Sequence, residues 1–358
     1  MILDYLFNKM TEKNLPEVSA KKCINNKGIP CSRCIDNCPE GAIQLKDKKI
    51  KFSEKMCAEC GVCRSSCPTQ AITFNNAQEE DVLLHACGKK KLVFSCLKES
   101  AAGNINMSCL NGMHPEFIAA VLILCADKKI YFNLSRCSDC EAGYNDSFFK
   151  QSLEKATAFL KNIGRLPNYE IITENRDIAD LIDEEISRRN LFKLVKKESE
   201  NIVLKTINSI IDDDNNLSAR RLLLKAIRDK GLSDRAKNVN TFWADFEVGA
   251  ACDGCGKCQD VCPGDAWKIE EETLSKRLYY SVANCYQCGL CETMCPQKAI
   301  YRCSDGSQVF SSALKKEINL KICSVCGKKH MPENENEEVC IVCRKKELLR
   351  KKLSTGLS

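Results

Sequence analysis

The stretch Cys252-Asp-Gly-Cys255-Gly-Lys-Cys258-Gln-Asp-Val-Cys262-Pro263 decides the fold of its part of the chain. Its spacing, C-x2-C-x2-C-x3-C-P, is typical of thiolates that ligate [4Fe–4S] clusters. Three closely spaced cysteines wrap a tight loop around one cluster, and the fourth, followed by proline, points to a neighbouring cluster. The spacing therefore predicts a pair of clusters that exchange their fourth ligands.

The same spacing occurs again at residues 285–296 and at residues 57–68. A shorter version, Cys31-x2-Cys34-x3-Cys38-Pro39, precedes the latter, and the nearest cysteine upstream of it is Cys23. A glycine follows the second cysteine of each complete motif and lets the backbone approach a cluster closely. Zinc sites use pairs of cysteines rather than such triplets, so zinc fits these motifs poorly.

Exchange of the fourth ligand predicts four sets of ligands, two in each half of the chain. The sets are Cys252, Cys255, Cys258 and Cys295; Cys285, Cys288, Cys291 and Cys262; Cys57, Cys60, Cys63 and Cys38; and Cys31, Cys34, Cys67 and Cys23. If Cys23 is not a ligand, the last site holds a [3Fe–4S] cluster or takes a ligand other than cysteine.

The blocks 23–67 and 252–295 are internal repeats of one another, and the modules that contain them, residues 20–78 and 245–305, both resemble the bacterial two-cluster ferredoxins. The resemblance implies two ferredoxin-like modules, each with two [4Fe–4S] clusters, and a function in one-electron transfer. The segments between and after these repeats lack the ferredoxin spacing and are interpreted as separate modules. We therefore expect an α+β multidomain chain.

The composition argues against a secreted disulfide scaffold and against a membrane protein. The chain has 358 residues and 27 cysteines, whereas disulfide scaffolds that are secreted are short. Its longest apolar run, residues 117–126, is shorter than the roughly 20 residues that a membrane span needs, and the N-terminus carries Asp4 where a signal peptide would be basic. We expect a cytoplasmic protein without a membrane span, from an anaerobic setting.

The basic net charge does not indicate nucleic acid as a partner. The apo-chain carries +6, and a [4Fe–4S] cluster with four thiolates carries about −2. Four clusters would bring the net charge to about −2, so we do not expect nucleic-acid binding.

Between the repeats, residues 80–174 predict a small parallel α/β domain. Strands are predicted at 91–95, 104–108, 129–134 and 169–173, and helices at 115–126 and 146–163. Ligands bind at the carboxyl ends of strands in such sheets. The cysteines that follow the predicted strands are Cys96, Cys109, Cys137 and Cys140.

The segment from Met107 to Cys140 resembles the delta subunit of methyl-viologen-reducing hydrogenases. That resemblance implies a [2Fe–2S] cluster held by these four cysteines, and redox partners of the hydrogenase, formate dehydrogenase or heterodisulfide reductase kind. The sequence departs from the family because the strand before Cys96 lacks paired cysteines. The C-x2-C spacing of Cys137 and Cys140 is also narrower than in the family.

Other residues in this region have simpler interpretations. Cys125 lies on an apolar helix and is interpreted as a core residue. Cys87, next to His85, is either a substitute ligand or a packing residue. His114, before Pro115, is interpreted as the start of a helix, and Cys303 as structural.

Residues 175–240 predict a helical spacer, in which Ser218 caps a helix that ends at Gly231. Residues 318–348 predict a zinc-ribbon-like module with the ligands Cys323, Cys326, Cys340 and Cys343. A mononuclear iron site takes the same ligands, so the spacing leaves both metals open, and we favour zinc. The basic tail at 345–352 predicts a solvated helix.

These features favour an electron-transfer subunit of an oxidoreductase over a stand-alone enzyme. Two alternatives remain: a redox enzyme with a reactive cluster in the central domain, and an iron–sulfur redox-sensing regulator. The chain has neither G-x-G-x-x-G nor a P-loop, so the sequence does not predict a nucleotide or flavin site.

Overall fold

The structure is a computed structural model. In it the chain folds into two compact units. It describes residues 15–74, 82, 86, 89–97, 103–140, 144–174, 178–181, 218–236, 241–303, 310–332, 334 and 336–355. The first unit contains residues 1–242 with 286–288, and the second contains 243–285 with 289–358. Cys87 and His85 lie outside the described residues, as does most of the predicted helical spacer.

Two antiparallel pairs of strands and two short helices form the N-terminal module. The elements are β1 (Pro16–Val18), α1 (Arg33–Asp36), β2 (Ile43–Lys46), β3 (Lys49–Phe52), α2 (Val62–Ser65) and β4 (Ile72–Phe74). Strand β1 pairs with β4, so that Pro16 lies opposite Phe74, and β2 pairs with β3 as a hairpin. Strand β1 thus lies before residue 20, the predicted start of the module.

A parallel sheet of four strands forms the central domain, as the alternation of strands and helices predicts. Its elements are β5 (Lys91–Cys96), β6 (Ile105–Met107), α3 (Pro115–Leu124), β7 (Lys129–Asn133), α4 (Ser147–Asn162) and β8 (Glu170–Ile172). The strand order is β6-β5-β7-β8, and all three pairings are parallel. The Phe132 ring packs against the rings of both Phe94 and Phe149. These contacts join β5, β7 and α4.

Helix α3 is buried on every side, as a helix without a polar face must be. His114 precedes it, and its ring nitrogen accepts a hydrogen bond from the Glu116 amide, which confirms the predicted helix start. Cys125 follows it at 1% exposure, which confirms that this cysteine is a core residue.

Helix α5 (Ala219–Asp229) packs against α3. Ser218 caps it by accepting a hydrogen bond from the Arg221 amide, as predicted. Leu222, Leu223 and Ile227 are fully buried. This helix is therefore part of the core of the first unit rather than a free spacer, because its leucine face is covered by the apolar surface of α3.

The second unit repeats the plan of the N-terminal module. Its elements are β9 (Phe246–Val248), α6 (Lys257–Val261), β10 (Trp267–Glu271), β11 (Ser275–Ser281), α7 (Leu290–Thr293) and β12 (Ile300–Arg302). Strands β9 and β12 pair as β1 and β4 do, and β10 and β11 form the hairpin. A further strand that the sequence analysis missed, β13 (Ser312–Asn319), pairs with β11 and widens this sheet.

The C-terminal segment follows β13 directly. Strands β14 (Lys321–Ile322) and β15 (Lys329–His330) pair with each other, and helix α8 (Ile341–Thr355) ends the described chain. The basic residues Lys345, Lys346 and Arg350 of α8 are exposed, as predicted. None of the described helices combines the length and the apolar character that crossing a membrane requires.

Candidate iron–sulfur sites

A backbone hydrogen bond to sulfur recurs in all four half-motifs. In each, the cysteine before proline accepts a hydrogen bond at Sγ from the amide of the alanine four residues later. The four bonds are Ala42 to Cys38 at 3.3 Å, Ala71 to Cys67 at 3.2 Å, Ala266 to Cys262 at 3.2 Å and Ala299 to Cys295 at 3.3 Å. Hydrogen bonds to sulfur are one of the means by which a protein sets the potential of a cluster.

A left-handed residue makes this bond possible in each half-motif, because it turns the following amide back toward the sulfur. These residues are Gly41 at φ 59°, Gln70 at 50°, Asp265 at 54° and Lys298 at 49°. The sequence analysis missed this feature, although its signal, C-P-x-x-A, is present in all four copies. The shorter motif that ends in Cys38 therefore has the same local geometry as the complete ones.

One cavity in the N-terminal module is lined by Cys23, Cys31, Cys34 and Cys67, and has a volume of about 370 Å³. Burial, with the thiols of Cys67, Cys31 and Cys23 adding to it, raises the pKa of Cys34 to about 12. The remaining wall is mostly apolar and includes Val18 and Ile72. Cys23 thus lies with the three cysteines that the crossed arrangement assigns to it.

A second cavity in the same module is lined by Cys38, Cys57, Cys60 and Cys63, and has a volume of about 330 Å³. Burial is the first cause that raises the pKa of Cys63, and the neighbouring thiols add to it. Glu40 and Gly61 also line this cavity. We call it the Cys38 site, and the preceding one the Cys23 site.

In the second unit, Cys252, Cys255, Cys258 and Cys295 line a cavity of about 310 Å³. Burial raises the pKa of Cys258 to about 12, with Cys252 and Cys255 adding to the effect.

Three members of the remaining predicted set, which all belong to the second unit, lie near one tyrosine. The thiols of Cys285, Cys291 and Cys262 add to burial in raising the pKa of Tyr280. The fourth predicted member, Cys288, is half-buried.

The donor set of these cavities fits iron–sulfur clusters. Clusters of this type take thiolate ligands, and the three cavities present four thiols each within largely apolar walls. The amides that bond to Sγ supply the hydrogen bonds that such sulfurs accept. The residues present therefore suit [4Fe–4S] clusters.

The central domain holds a larger cysteine cavity, which we call the central site. Cys96, Cys109, Cys137 and Cys140 line it, and its volume is about 610 Å³. Cys96 is the last residue of β5, and the other three follow β6 and β7. Burial raises the pKa of Cys109 to about 11 and that of Cys137 to about 12. The sheet therefore brings the four predicted cysteines to one end, as its topology requires.

The four C-terminal cysteines form a much tighter group. The sulfurs of Cys323, Cys326, Cys340 and Cys343 all lie within 4.8 Å of one another. The Cys326 and Cys340 sulfurs are 3.8 Å apart, and a tetrahedron with metal–sulfur bonds of about 2.3 Å has edges of about 3.8 Å. No other group of three or more ligand atoms among the described residues is so compact. The arrangement suits a single metal ion rather than a cluster.

Cys303 lies apart from these groups, half-buried beside Asp245 and Lys315. Burial and then the Asp245 carboxylate raise the pKa of Cys303, whereas the Lys315 ammonium lowers it. Its assignment as a structural cysteine remains a prediction.

Comparisons with known proteins agree with the cysteine geometry. Residues 27–72 and residues 251–299 each match the model of a 4Fe-4S dicluster domain. A ferredoxin of Methanothermococcus thermolithotrophicus is 40% identical over 48 residues, which are 13% of this chain and 80% of that protein. The fold and its cysteine sites define an iron–sulfur protein with an electron-transfer role. The chain belongs to the ferredoxin family with 4Fe-4S dicluster domains.

Two other relatives are longer than the region they share with this chain. The ferredoxin-type protein NapF of Haemophilus influenzae is 33% identical over 64 residues, which are 16% of this chain and 36% of NapF. The pyruvate synthase subunit PorD of Methanothermobacter marburgensis is 43% identical over 47 residues, which are 13% of this chain and 54% of PorD.

Proposed function

We propose that the chain is a polyferredoxin-like relay that passes single electrons within an oxidoreductase complex. The four crossed sets of cysteines hold its [4Fe–4S] clusters, each of which takes up and gives up one electron when bound. The observation that supports this most directly is that three separate cavities are each lined by one complete predicted set. The modules proposed for these sets are residues 20–78 and 245–305.

The proposal extends to the central domain, residues 80–174. There Cys96, Cys109, Cys137 and Cys140 hold a further iron–sulfur centre, which the resemblance to the hydrogenase delta subunit makes a [2Fe–2S] cluster. Their position around one cavity at the carboxyl end of a parallel sheet supports this assignment. Between this domain and the second ferredoxin module, residues 175–240 connect the two.

In the C-terminal module, residues 318–348, the four compact thiolates hold zinc. The 3.8 Å separation of the Cys326 and Cys340 sulfurs supports a mononuclear tetrahedral site. Such a metal would stabilise a short segment that has little core of its own, because metal binding contributes directly to its folding.

The proposed partners are redox enzymes. PorD is a subunit of pyruvate synthase, and its similarity supports a relay that serves a redox enzyme. A cytoplasmic location and an anaerobic cell are part of the proposal. Partners of the hydrogenase, formate dehydrogenase or heterodisulfide reductase type are proposed from the central domain. The proposal assigns no reaction to the chain alone.

A reductive titration of the anaerobically purified full chain, followed by EPR, tests the relay. A relay takes up electrons in separate one-electron steps, about one for each centre. The Cys23→Ser variant removes a thiolate of the Cys23 site and should lose or alter one [4Fe–4S] signal, whereas Cys303→Ser should leave every signal unchanged. A wild-type chain without reducible iron–sulfur signals would overturn the proposal.

A redox enzyme with a reactive centre in the central domain is the second candidate. The size of the central cavity favours it, because about 610 Å³ is well above the 310–370 Å³ of the ferredoxin cavities. Asn133, Tyr144 and Asp146 also give that cavity a polar wall. An enzyme should show EPR changes at the central centre when small thiols or disulfides are added without a partner protein. A relay should show none.

A further inference from the structure

The Cys38 site and the central site belong to the same unit, and the segments around them contact each other at two places. The first place is a contact between two glycines. Gly61 follows Cys60 in the ligand loop of the Cys38 site, and Gly112 ends the short turn Leu110–Gly112 that follows Cys109. A Cβ atom on Gly112 would lie 2.7 Å from the Cys60 carbonyl oxygen and 3.0 Å from the Gly61 Cα.

Only glycine fits at this contact. Real Cβ atoms do not approach other heavy atoms within 3.0 Å, and the atoms that a Gly112 Cβ would meet belong to backbone. The backbone angle φ of Gly112 is not left-handed. The requirement for glycine at this position is therefore close approach rather than conformation.

Hydrogen bonds hold the two backbones at this distance. The Arg64 side chain donates to the Gly112 carbonyl at 3.2 Å, and the Ser65 hydroxyl donates to the Asn111 carbonyl at 2.7 Å. Asn111 in turn accepts from the Phe149 amide at 2.8 Å, which fixes the turn to the start of α4. The turn Leu110–Gly112 is thus hydrogen-bonded to α2 on one side and to α4 on the other.

The second place is a hydrogen bond that joins the two cavity walls directly. Tyr144 lines the central site, Glu40 lines the Cys38 site, and the Tyr144 hydroxyl donates to the Glu40 carboxylate. Glu40 comes two residues after Cys38, so this bond also ends beside a ligand of the same site.

We propose that the Gly61–Gly112 contact is an electron-transfer junction that connects the central site to the Cys38 site rather than to the Cys23 site. This rests on the proposed function, since it requires an iron–sulfur centre at each site. In the step, the centre in the Cys38 site loses one electron as the centre in the central site gains it, or the reverse, with no proton or group transferred. The two loops hold the ligands Cys60 and Cys109 close together and exclude side chains from the gap.

EPR of the reduced full chain tests the junction, because a paramagnetic neighbour broadens a signal and speeds its relaxation. Two matched variants each remove one cysteine of a C-x2-C ligand pair: Cys57→Ala at the Cys38 site and Cys31→Ala at the Cys23 site. We expect Cys57→Ala to narrow the signal of the central centre and slow its relaxation, and Cys31→Ala to leave both nearly unchanged. Iron analysis establishes that each variant has lost one [4Fe–4S] cluster, and the substituted ligand identifies the site.

Gly112→Ala tests the contact with all ligands in place. The added methyl group must separate the loops, so the magnetic interaction should weaken while the iron content stays the same. Gly249→Ala is the control, since its Cβ would meet atoms only at ordinary contact distances of 3.5 Å or more.

A larger effect from Cys31→Ala than from Cys57→Ala, or no effect from either despite the loss of the intended cluster, would overturn the junction and leave the relay intact. A wild-type chain with ferredoxin signals but no central signal would overturn the central centre, and the junction with it.

Discussion

The backbone amide of Ala266 donates a hydrogen bond to Sγ of Cys262 over 3.2 Å. Asp265, directly before it, is left-handed at φ 54°, although residues other than glycine rarely adopt this conformation. The same pair of features occurs in the other three half-motifs. The chain therefore accepts local backbone strain at three of these positions, Gln70, Asp265 and Lys298, and places Gly41 at the fourth, in order to point an amide at a cluster ligand.

The left-handed positions predict different effects on stability for adding a side chain and for removing one. Gly41 occupies the left-handed position in the first half-motif and Lys298 occupies it in the last. Gly41→Ala should lower the free energy of unfolding by about 1 kcal/mol, because an added Cβ strains this conformation. Lys298→Gly should not lower it, since the strain that it relieves offsets the entropy cost of glycine. Anaerobic thermal unfolding of the loaded protein measures both; destabilisation by Lys298→Gly but not by Gly41→Ala would contradict the strain argument.

The buried ion pair between Arg220 and Glu116 predicts a large loss of stability. The Arg220 guanidinium donates to both Glu116 oxygens, at 2.6 and 2.8 Å, and to the Phe242 carbonyl at 2.7 Å. Both side chains are about 5% exposed. Arg220→Ala leaves a buried carboxylate unpaired and should cost about 3–5 kcal/mol of unfolding free energy.

Two variants control for the loss of the side chain itself. The double variant Arg220→Met with Glu116→Gln removes both charges and should recover most of the loss. On the same helix, Lys225→Ala breaks the more exposed pair with Asp229 and should cost about 0.5 kcal/mol. Similar losses for Arg220→Ala and Lys225→Ala would show that the buried pair contributes little.

Because His114 is buried, we predict that the free energy of unfolding decreases at mildly acidic pH. Burial is the first cause that lowers its pKa to about 4, and the positive charge of Arg220 adds to this while Glu116 opposes it. Between the unfolded value of about 6.5 and pH 4, the unfolded chain binds the proton and the folded chain does not. Stability therefore falls as pH drops through this window, by up to about 3 kcal/mol from this group.

The comparison with His114→Asn isolates the contribution of this histidine, because asparagine can still cap the helix. Midpoints of thermal unfolding at pH 7 and pH 5 should fall more for the wild type than for the variant. Acid sensitivity of the metal sites affects both proteins alike. An equal fall in both would mean that His114 is protonated in the folded state.

The C-terminal thiolates predict one zinc per chain. Amide hydrogen bonds, that of Cys340 first, lower the pKa of Cys323, and the four sulfurs lie within 4.8 Å of one another. Cys340→Ser should lose the zinc, while Cys303→Ser should retain it, as elemental analysis would show. A chain with one extra iron and no zinc would instead indicate a rubredoxin-type site.

The motifs that lie within a single loop could be predicted from the sequence. Three of the four crossed sets of cysteines line common cavities, because the spacing that positions Cys57, Cys60 and Cys63 is a local property of the backbone. The strands of the central sheet and the cap at Ser218 were predicted for the same reason, since their signals are short-range.

Contacts between distant segments could not be predicted in this way. Neither the glycine at 61 nor the glycine at 112 indicates that they meet, and nothing in the sequence pairs Arg220 with Glu116 across about a hundred residues. Strand β13 was missed because it lies outside the cysteine motifs, and its pairing with β11 joins separate segments of the chain. These contacts depend on tertiary packing, which single-sequence patterns do not encode.

The most direct test of the central claim is to count iron and acid-labile sulfide in anaerobically purified full-length protein, with EPR of the dithionite-reduced sample. Four [4Fe–4S] clusters in two ferredoxin modules require about sixteen irons per chain, and a [2Fe–2S] cluster at the central site raises this to about eighteen. We predict about eighteen, with a [2Fe–2S] signal that disappears in Cys137→Ser. About sixteen irons, with no such signal, would leave the central site without its proposed cluster. Far fewer irons with stoichiometric zinc, in protein never exposed to air, would contradict the account of this chain as an iron–sulfur electron-transfer protein.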